Sequence, residues 1–142
     1  MQGILLVFLF TSFFDSTLLA SDLQKIQEVS LKKDEQKNIF VKYDNKKRLF
    51  KFRWTLYING GLVILRSYDK KVAQNILYLN HKNQSFRVEL KTRGADFYNV
   101  PYLLIKFKEF DHKKNLAKFM IYLSDKNKQI TLEILKNKQE TK

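Results

Sequence analysis

Two histidines, His81 and His112, and the carboxylates Glu89, Glu109 and Glu133 are the side chains through which this chain could do acid–base chemistry. Both histidines fall in stretches of turn composition, His81-Lys82-Asn83-Gln84 and Asp111 to Asn115. These stretches belong to separate hairpins, so a shared site would need the fold to bring them together. Asp111-His112 is a neighbouring pair, but a triad is defined by the geometry of nucleophile, base and orienting acid, not by adjacency. No metal-ligand spacing occurs. The chain has no cysteine, which removes disulfides, thiolate metal sites and cysteine nucleophiles together. Gly60-Gly61 reads as part of a hairpin turn rather than a phosphate-binding loop, and a serine nucleophile elbow is missing. Glu109 alone falls on the apolar register of its strand, where burial would raise its pKa. The alternative is a strand-end carboxylate that reaches solvent or pairs with Lys91 or Lys118. The expectation is a noncatalytic protein with no metal and no cofactor.

Basic residues are the more prominent resource. There are 27 Lys and Arg against 14 Asp and Glu, a formal charge of +13, and 22 of the 27 are lysine. Phosphate and carboxylate sites favour the planar fork of arginine. A chain rich in Lys, Asn, Ile and Phe and poor in Ala, Gly, Pro and Arg is also what an AT-rich coding sequence produces. Much of the charge therefore needs no function beyond solubility. What remains is a set of bases interleaved with aromatics on strand faces. Tyr102, Leu104, Lys106 and Lys108 are expected beside Tyr122, Met120 and Lys118, with Lys108 opposite Lys118. Like charges directly opposite destabilise a strand pair, so an anion there would relieve repulsion. A second outer patch joins Phe40, Lys51, Arg53, Tyr57 and Ile64. Arg93, Phe97 and Tyr98 lie in a long loop that could carry recognition. Such surfaces suit single-stranded nucleic acid, acidic glycolipids and glycans, or the rim of a protein interface. Tyr, Thr and Lys on outer faces are also simply good strand formers.

The N-terminus narrows the partner. Ile4 to Phe14 is almost wholly apolar, Asp15-Ser16-Thr17 breaks the run, and Leu18-Leu19-Ala20 precedes Ser21-Asp22. That pattern predicts a signal peptide over residues 1–20; a membrane-spanning helix needs about 20 apolar residues. An uncleaved anchor is the alternative, since no base precedes Ile4. Cleavage would leave 122 residues of charge +14, because residues 1–20 hold one acid and no base. Export to a bacterial periplasm, or beyond the cell, disfavours nucleic acid. It points to an envelope protein or an anionic envelope polymer or lipid, with no membrane span after cleavage.

The elements that would position these faces read as strands. Residues 21–37 are expected to form a polar lead-in or short helix, with Leu23, Ile26 and Ser30 at helical spacing. Residues 38–142 then form one β-domain. Phe50, Phe52, Trp54, Leu56 and Ile58 alternate with Lys51, Arg53, Thr55 and Tyr57, a period of two. Polar turns recur at 44–47, 59–60, 69–71, 81–84, 111–115 and 125–128. Pairing apolar with apolar predicts Val41 opposite Phe50, Leu56 opposite Val63, Leu77 opposite Val88, Phe107 opposite Phe119, and Leu123 opposite Ile130. Lys91 to Pro101 is the one long connection, expected to cross between two halves of the sheet. The fold class is all-β: an antiparallel meander of seven to eight strands closing as a small barrel or sandwich. As a barrel, it could bind or carry an apolar ligand against Trp54, Phe52 and Phe107.

Overall fold

The computed structural model describes residues 23–92, 94 and 99–136. The expected signal peptide lies outside these residues. The described residues form nine antiparallel strands: β1 (Leu23–Lys32), β2 (Lys37–Tyr43), β3 (Lys46–Ile58), β4 (Gly61–Tyr68), β5 (Lys71–Tyr78), β6 (Ser85–Glu89), β7 (Tyr102–Asp111), β8 (Leu116–Ser124) and β9 (Thr131–Ile134). They make two open sheets, ordered β1-β8-β7-β6 and β5-β4-β3-β2-β9. The all-β class is as expected, and of the two closures the fold is the sandwich.

Alternation makes the core. The five-stranded sheet turns Ile39, Val41, Phe50, Phe52, Trp54, Leu62 and Ile64 inward, against Leu103, Ile105, Phe107, Phe119 and Ile121 of the other sheet. All are at most 1% exposed. Each buried side chain of this size contributes about 1.5–3 kcal/mol, so packing stands in for absent disulfides. Phe52 meets the edges of Phe86 and Phe119, at centroid distances of 6.1 and 5.4 Å. Two polar tips bridge the layers: Trp54 Nε1 donates to the Leu31 carbonyl at 2.7 Å, and the Tyr68 hydroxyl donates to the Leu90 carbonyl at 2.6 Å.

The meander β2 to β5 is built on two-residue turns. Asp44-Asn45, Asn59-Gly60 and Asp69-Lys70 all have positive φ at both positions, the type I′ geometry whose twist matches the flanking strands. The turn at 44–47 is therefore shorter than expected, with Tyr43 opposite Lys46, Ile39 opposite Phe50 and Lys37 opposite Phe52. A slip of two keeps every side chain on its face, which is why the apolar pattern alone does not distinguish the registers. Lys37 thereby points into the sandwich rim, 5% exposed. Its ammonium donates to the Leu135 carbonyl at 3.0 Å, and burial lowers its pKa against a smaller opposing effect of Glu35.

Other expected pairings change sheets. Leu77 does not pair with Val88, nor Leu123 with Ile130, because the β5–β6 and β8–β9 connections cross between layers. Phe86 and Val88 instead face Ile105 and Leu103, and β9 pairs with β2 through Val41–Leu132 and Ile39–Ile134. The long Lys91–Pro101 connection does not cross. It joins β6 to its sheet neighbour β7, closed by the Leu90 amide donating to the Pro101 carbonyl at 2.8 Å.

Three bulges account for the remaining differences, each inserting one residue into a strand. The first is at Ile26, between Lys25–Tyr122 and Gln27–Ile121. It breaks the alternation of β1, and Ile26 packs on the core; the spacing that resembles a helix is a bulged strand. The second is at Thr55, where Trp54 faces Ile64 but Leu56 faces Val63. The third is at Lys108, between Phe107–Phe119 and Glu109–Lys118. Beyond the bulges of β3 and β7 the faces invert. Leu56 and Ile58 turn outward, 46% and 55% exposed, while Tyr57 and Phe110 turn inward and stack at 4.0 Å between ring centroids.

Candidate functional site

The surface expected around Lys106 and Lys118 exists on the outer face of the four-stranded sheet. Lys106 lies opposite Met120, Leu104 opposite Tyr122 and Tyr102 opposite Ser124. Its electrostatics differ from the expectation. The bulge at Lys108 removes that lysine from the position opposite Lys118 and puts Glu109 there. Lys118 Nζ lies 3.4 Å from Glu109 and 3.5 Å from Glu28, and these carboxylates raise its pKa. No like-charge repulsion remains for an anion to relieve. Tyr102 is likewise occupied, with the Arg87 guanidinium 3.7 Å over its ring. Met120, though on this outer face, is 2% exposed. Lys106 and Lys108 stay without an ion-pair partner among the described residues, on a face whose other charges largely cancel.

The same inversion moves Glu109. Expected inward, it is solvent-exposed beside Lys118, with its side chain 63% accessible. Asp111 and His112 turn to different partners. Asp111 Oδ1 accepts from the amides of Lys113 and Lys114 at 3.0 and 3.1 Å, organising its own turn, and His112 lies edge-on to Phe110 and Tyr57. His81 sits in the turn after β5 against the Tyr78 ring. The rings expected to line an interior cavity, Phe52, Trp54 and Phe107, are in contact with other rings instead.

The second expected patch is divided by the bulge at Thr55. Tyr57 and Ile64 belong to the interior: Ile64 is fully buried and Tyr57 packs on Phe110. Phe40 stays outside, under the Lys47 ammonium at 4.0 Å. Lys51 and Arg53 also stay outside, and here the geometry concentrates charge. Lys51 lies opposite Ser67, which lies opposite Val72, and Arg53 lies opposite Leu65. With Gln36 and the turn residue Lys70, these side chains line an open cleft of about 380 Å³. Lys51, Arg53 and Lys70 have no carboxylate partner among the described residues. Asp69, the nearest acid in sequence, is bound by Arg48. Arg66 and Phe52 also contribute to the lining, but Arg66 is turned to the Asn75 side chain and the Phe86 ring, so the cleft offers three uncompensated cations on its outer side, with Leu65 and Val72 among them.

Lys70, Gln36, Leu65, Ser67 and Val72 were not legible as parts of this site. Leu65 and Ser67 meet Arg53 and Lys51 through the bulge, without which Lys51 would face a different residue of β4, and Val72 joins them through the two-residue turn at 69–70. Arg93, Phe97 and Tyr98, expected to carry recognition from the long loop, lie outside the described residues. Family models, curated proteins and solved structures were all compared with the chain, and none matches.

Proposed function

We propose that this protein is a noncatalytic binding module of a bacterial cell envelope that holds an anionic component on the outer face of its five-stranded sheet. The observation that carries the reading is the cleft of Lys51, Arg53 and Lys70: three cations with no carboxylate partner among the described residues, converging over Leu65 and Val72. Cations held near one another repel, and a phosphate or carboxylate group placed among them removes that repulsion and gains charge-assisted hydrogen bonds. Leu65 and Val72 add apolar area for a ligand with a nonpolar portion. Placement in the envelope, with the periplasm as compartment, rests on the apolar run Ile4 to Phe14 and the cysteine-free composition. Interior rings in mutual contact favour this surface reading over an apolar-ligand carrier.

The test separates a site from bulk charge. Binding to phosphatidylglycerol-containing vesicles and to soluble polyphosphate is measured by sedimentation and by fluorescence anisotropy. Two variants of equal charge change are compared: Lys51→Glu/Arg53→Glu/Lys70→Glu in the cleft, and Lys46→Glu/Lys126→Glu/Lys128→Glu in exposed positions near turns. At physiological salt, where distant charges are screened beyond about 8 Å, the cleft variant is expected to lose at least about tenfold in affinity for one or both probes, and the control a small factor. Equal losses in both variants would show that only net charge matters and would remove the site.

A further inference from the structure

Among the described residues the two open sheets have four edge strands, and three of them are blunted in ways that resist pairing. β1 carries Lys25, Glu28 and Lys32. β6 is five residues long with Arg87 and Glu89, and β9 is four residues long with Glu133. β5 is different. After Lys71 it runs Val72-Ala73-Gln74-Asn75-Ile76-Leu77-Tyr78 without a charge, in a chain of net charge +13. Its outward side chains include Val72, Ile76 and Tyr78, at 69%, 45% and 36% exposure.

The backbone alternation says which groups are free. The two-residue turn makes Tyr68–Lys71 the closing pair of the β4–β5 hairpin, so residues 71, 73, 75 and 77 bond to β4 and residues 72, 74 and 76 turn their amides and carbonyls to the open edge. Tyr78 follows the same alternation, but its amide is already used, donating to the Asn83 carbonyl at 3.0 Å.

We infer that β5 pairs with β5 of a second copy of this chain, antiparallel and about a twofold axis at Gln74. An antiparallel strand is its own complement under a twofold axis, so one free edge satisfies the other without a new sequence. With Gln74 opposite Gln74, Val72 lies opposite Ile76 of the partner copy, and the groups left free by Tyr78 are the ones used. Charge selects the register. Two strongly basic chains repel, so the pairing must keep the one lysine of β5 away from its copy. In this register each Lys71 lies opposite an uncharged Leu77 of the other copy, with the two Lys71 residues about 20 Å apart. The result is a continuous ten-stranded sheet. Because the axis stands perpendicular to it, both outer faces point the same way, and the two basic clefts lie on one surface. The inference stands on the edge strand and does not depend on the cleft's being a binding site.

The contact is short for a stable interface, so the expected behaviour is a reversible dimer whose mass doubles between about 1 and 200 µM in sedimentation equilibrium. Gln74→Pro is the blocking variant. Its amide faces the open edge, so proline removes no bond to β4; circular dichroism confirms retained sheet, and the variant is expected to stay monomeric across that range. Gln74→Cys gives an independent readout in a chain with no other cysteine. Bonded antiparallel pairs sit about 5.5 Å apart at Cα, within disulfide reach. Mild oxidation should cross-link most of this variant and little of Lys126→Cys. A monomer at the highest concentration, a dimer that survives Gln74→Pro, or equal cross-linking of both cysteine variants would each overturn the inference.

Discussion

Replacing Leu56 and Tyr57 separately by alanine tests the bulge at Thr55, because the bulge decides which of the two belongs to the core. Leu56 is 46% exposed. Full burial of a leucine is worth about 1.5–3 kcal/mol, so with half its surface already in water Leu56→Ala should cost about 1 kcal/mol or less. Without the bulge, Leu56 would follow Trp54 into the core, and truncation would cost about 2–5 kcal/mol. Tyr57 stacks on Phe110 at 4.0 Å and 14° and meets the edge of Phe107 at 6.4 Å. Its truncation loses ring burial and an aromatic pairing of about 0.5–1.5 kcal/mol, for a total of about 3 kcal/mol. Urea unfolding, followed through the single tryptophan Trp54, should therefore rank Tyr57→Ala below Leu56→Ala by about 2 kcal/mol, or roughly 5–10 °C in Tm. Deleting Thr55 should cost less than Tyr57→Ala, since it removes the inserted residue and leaves Leu56 outward and Tyr57 inward on the same partners of β4. If Leu56→Ala cost as much as Tyr57→Ala, the bulge would be wrong, and with it the outward placement of Leu56 and Ile58.

Lys37 and Trp54 give two further expectations. Burial lowers the Lys37 pKa from its ordinary 10.5, so between the lowered value and 10.5 the unfolded chain binds more protons than the folded one, and stability rises with pH across that window. Lys37→Met removes this rise; urea midpoints at increasing pH should converge between wild type and variant in slope only if Lys37 is not the source. Trp54→Phe keeps a ring beside Phe110 but leaves the Leu31 carbonyl without its indole donor, at a cost of about 2–3 kcal/mol from the lost bond and the smaller ring. Circular dichroism during urea unfolding checks it, and a loss below about 0.5 kcal/mol would mean that the 2.7 Å bond between the sheets contributes little.

Local pattern carried the class and much of the core. Asn59-Gly60 marked its hairpin correctly. Ile105 opposite Ile121 and Phe107 opposite Phe119 are also as expected, but by compensation: the loop after Asp111 is one residue shorter than expected, and the bulge at Lys108 restores the register. What alternation could not reveal is where it stops. A bulge has no composition of its own: Thr55 and Lys108 look like ordinary outward strand residues, yet each reverses everything beyond it. Glu109 and Leu56 were misplaced inward for this one reason, and the Lys108–Lys118 repulsion was inferred from it. Ile26 did the converse, making a strand resemble a helix. Choice of sheet was also hidden, because the turns after β5 and β8 have the same polar composition as turns that close hairpins. The binding face was half legible. Lys51 and Arg53 share a face in any register, whereas Lys70 and Val72 join them only through pairings that the bulge sets.

The pairing of β1 with β8 has a kinetic side. It joins residues 23–32 to residues 116–124, and closing a loop of roughly 90 residues costs about 3 kcal/mol more chain entropy than closing a tight hairpin. The meander β2 to β5 can assemble from residues 37–78 alone, while β1 has nothing to pair with until β8 has been made. The strand that directly follows residues 1–22 is thus among the last to lock in place. On the export proposed above, a leading end that stays extended until most of the chain has emerged is an advantage, and this strand order would supply it.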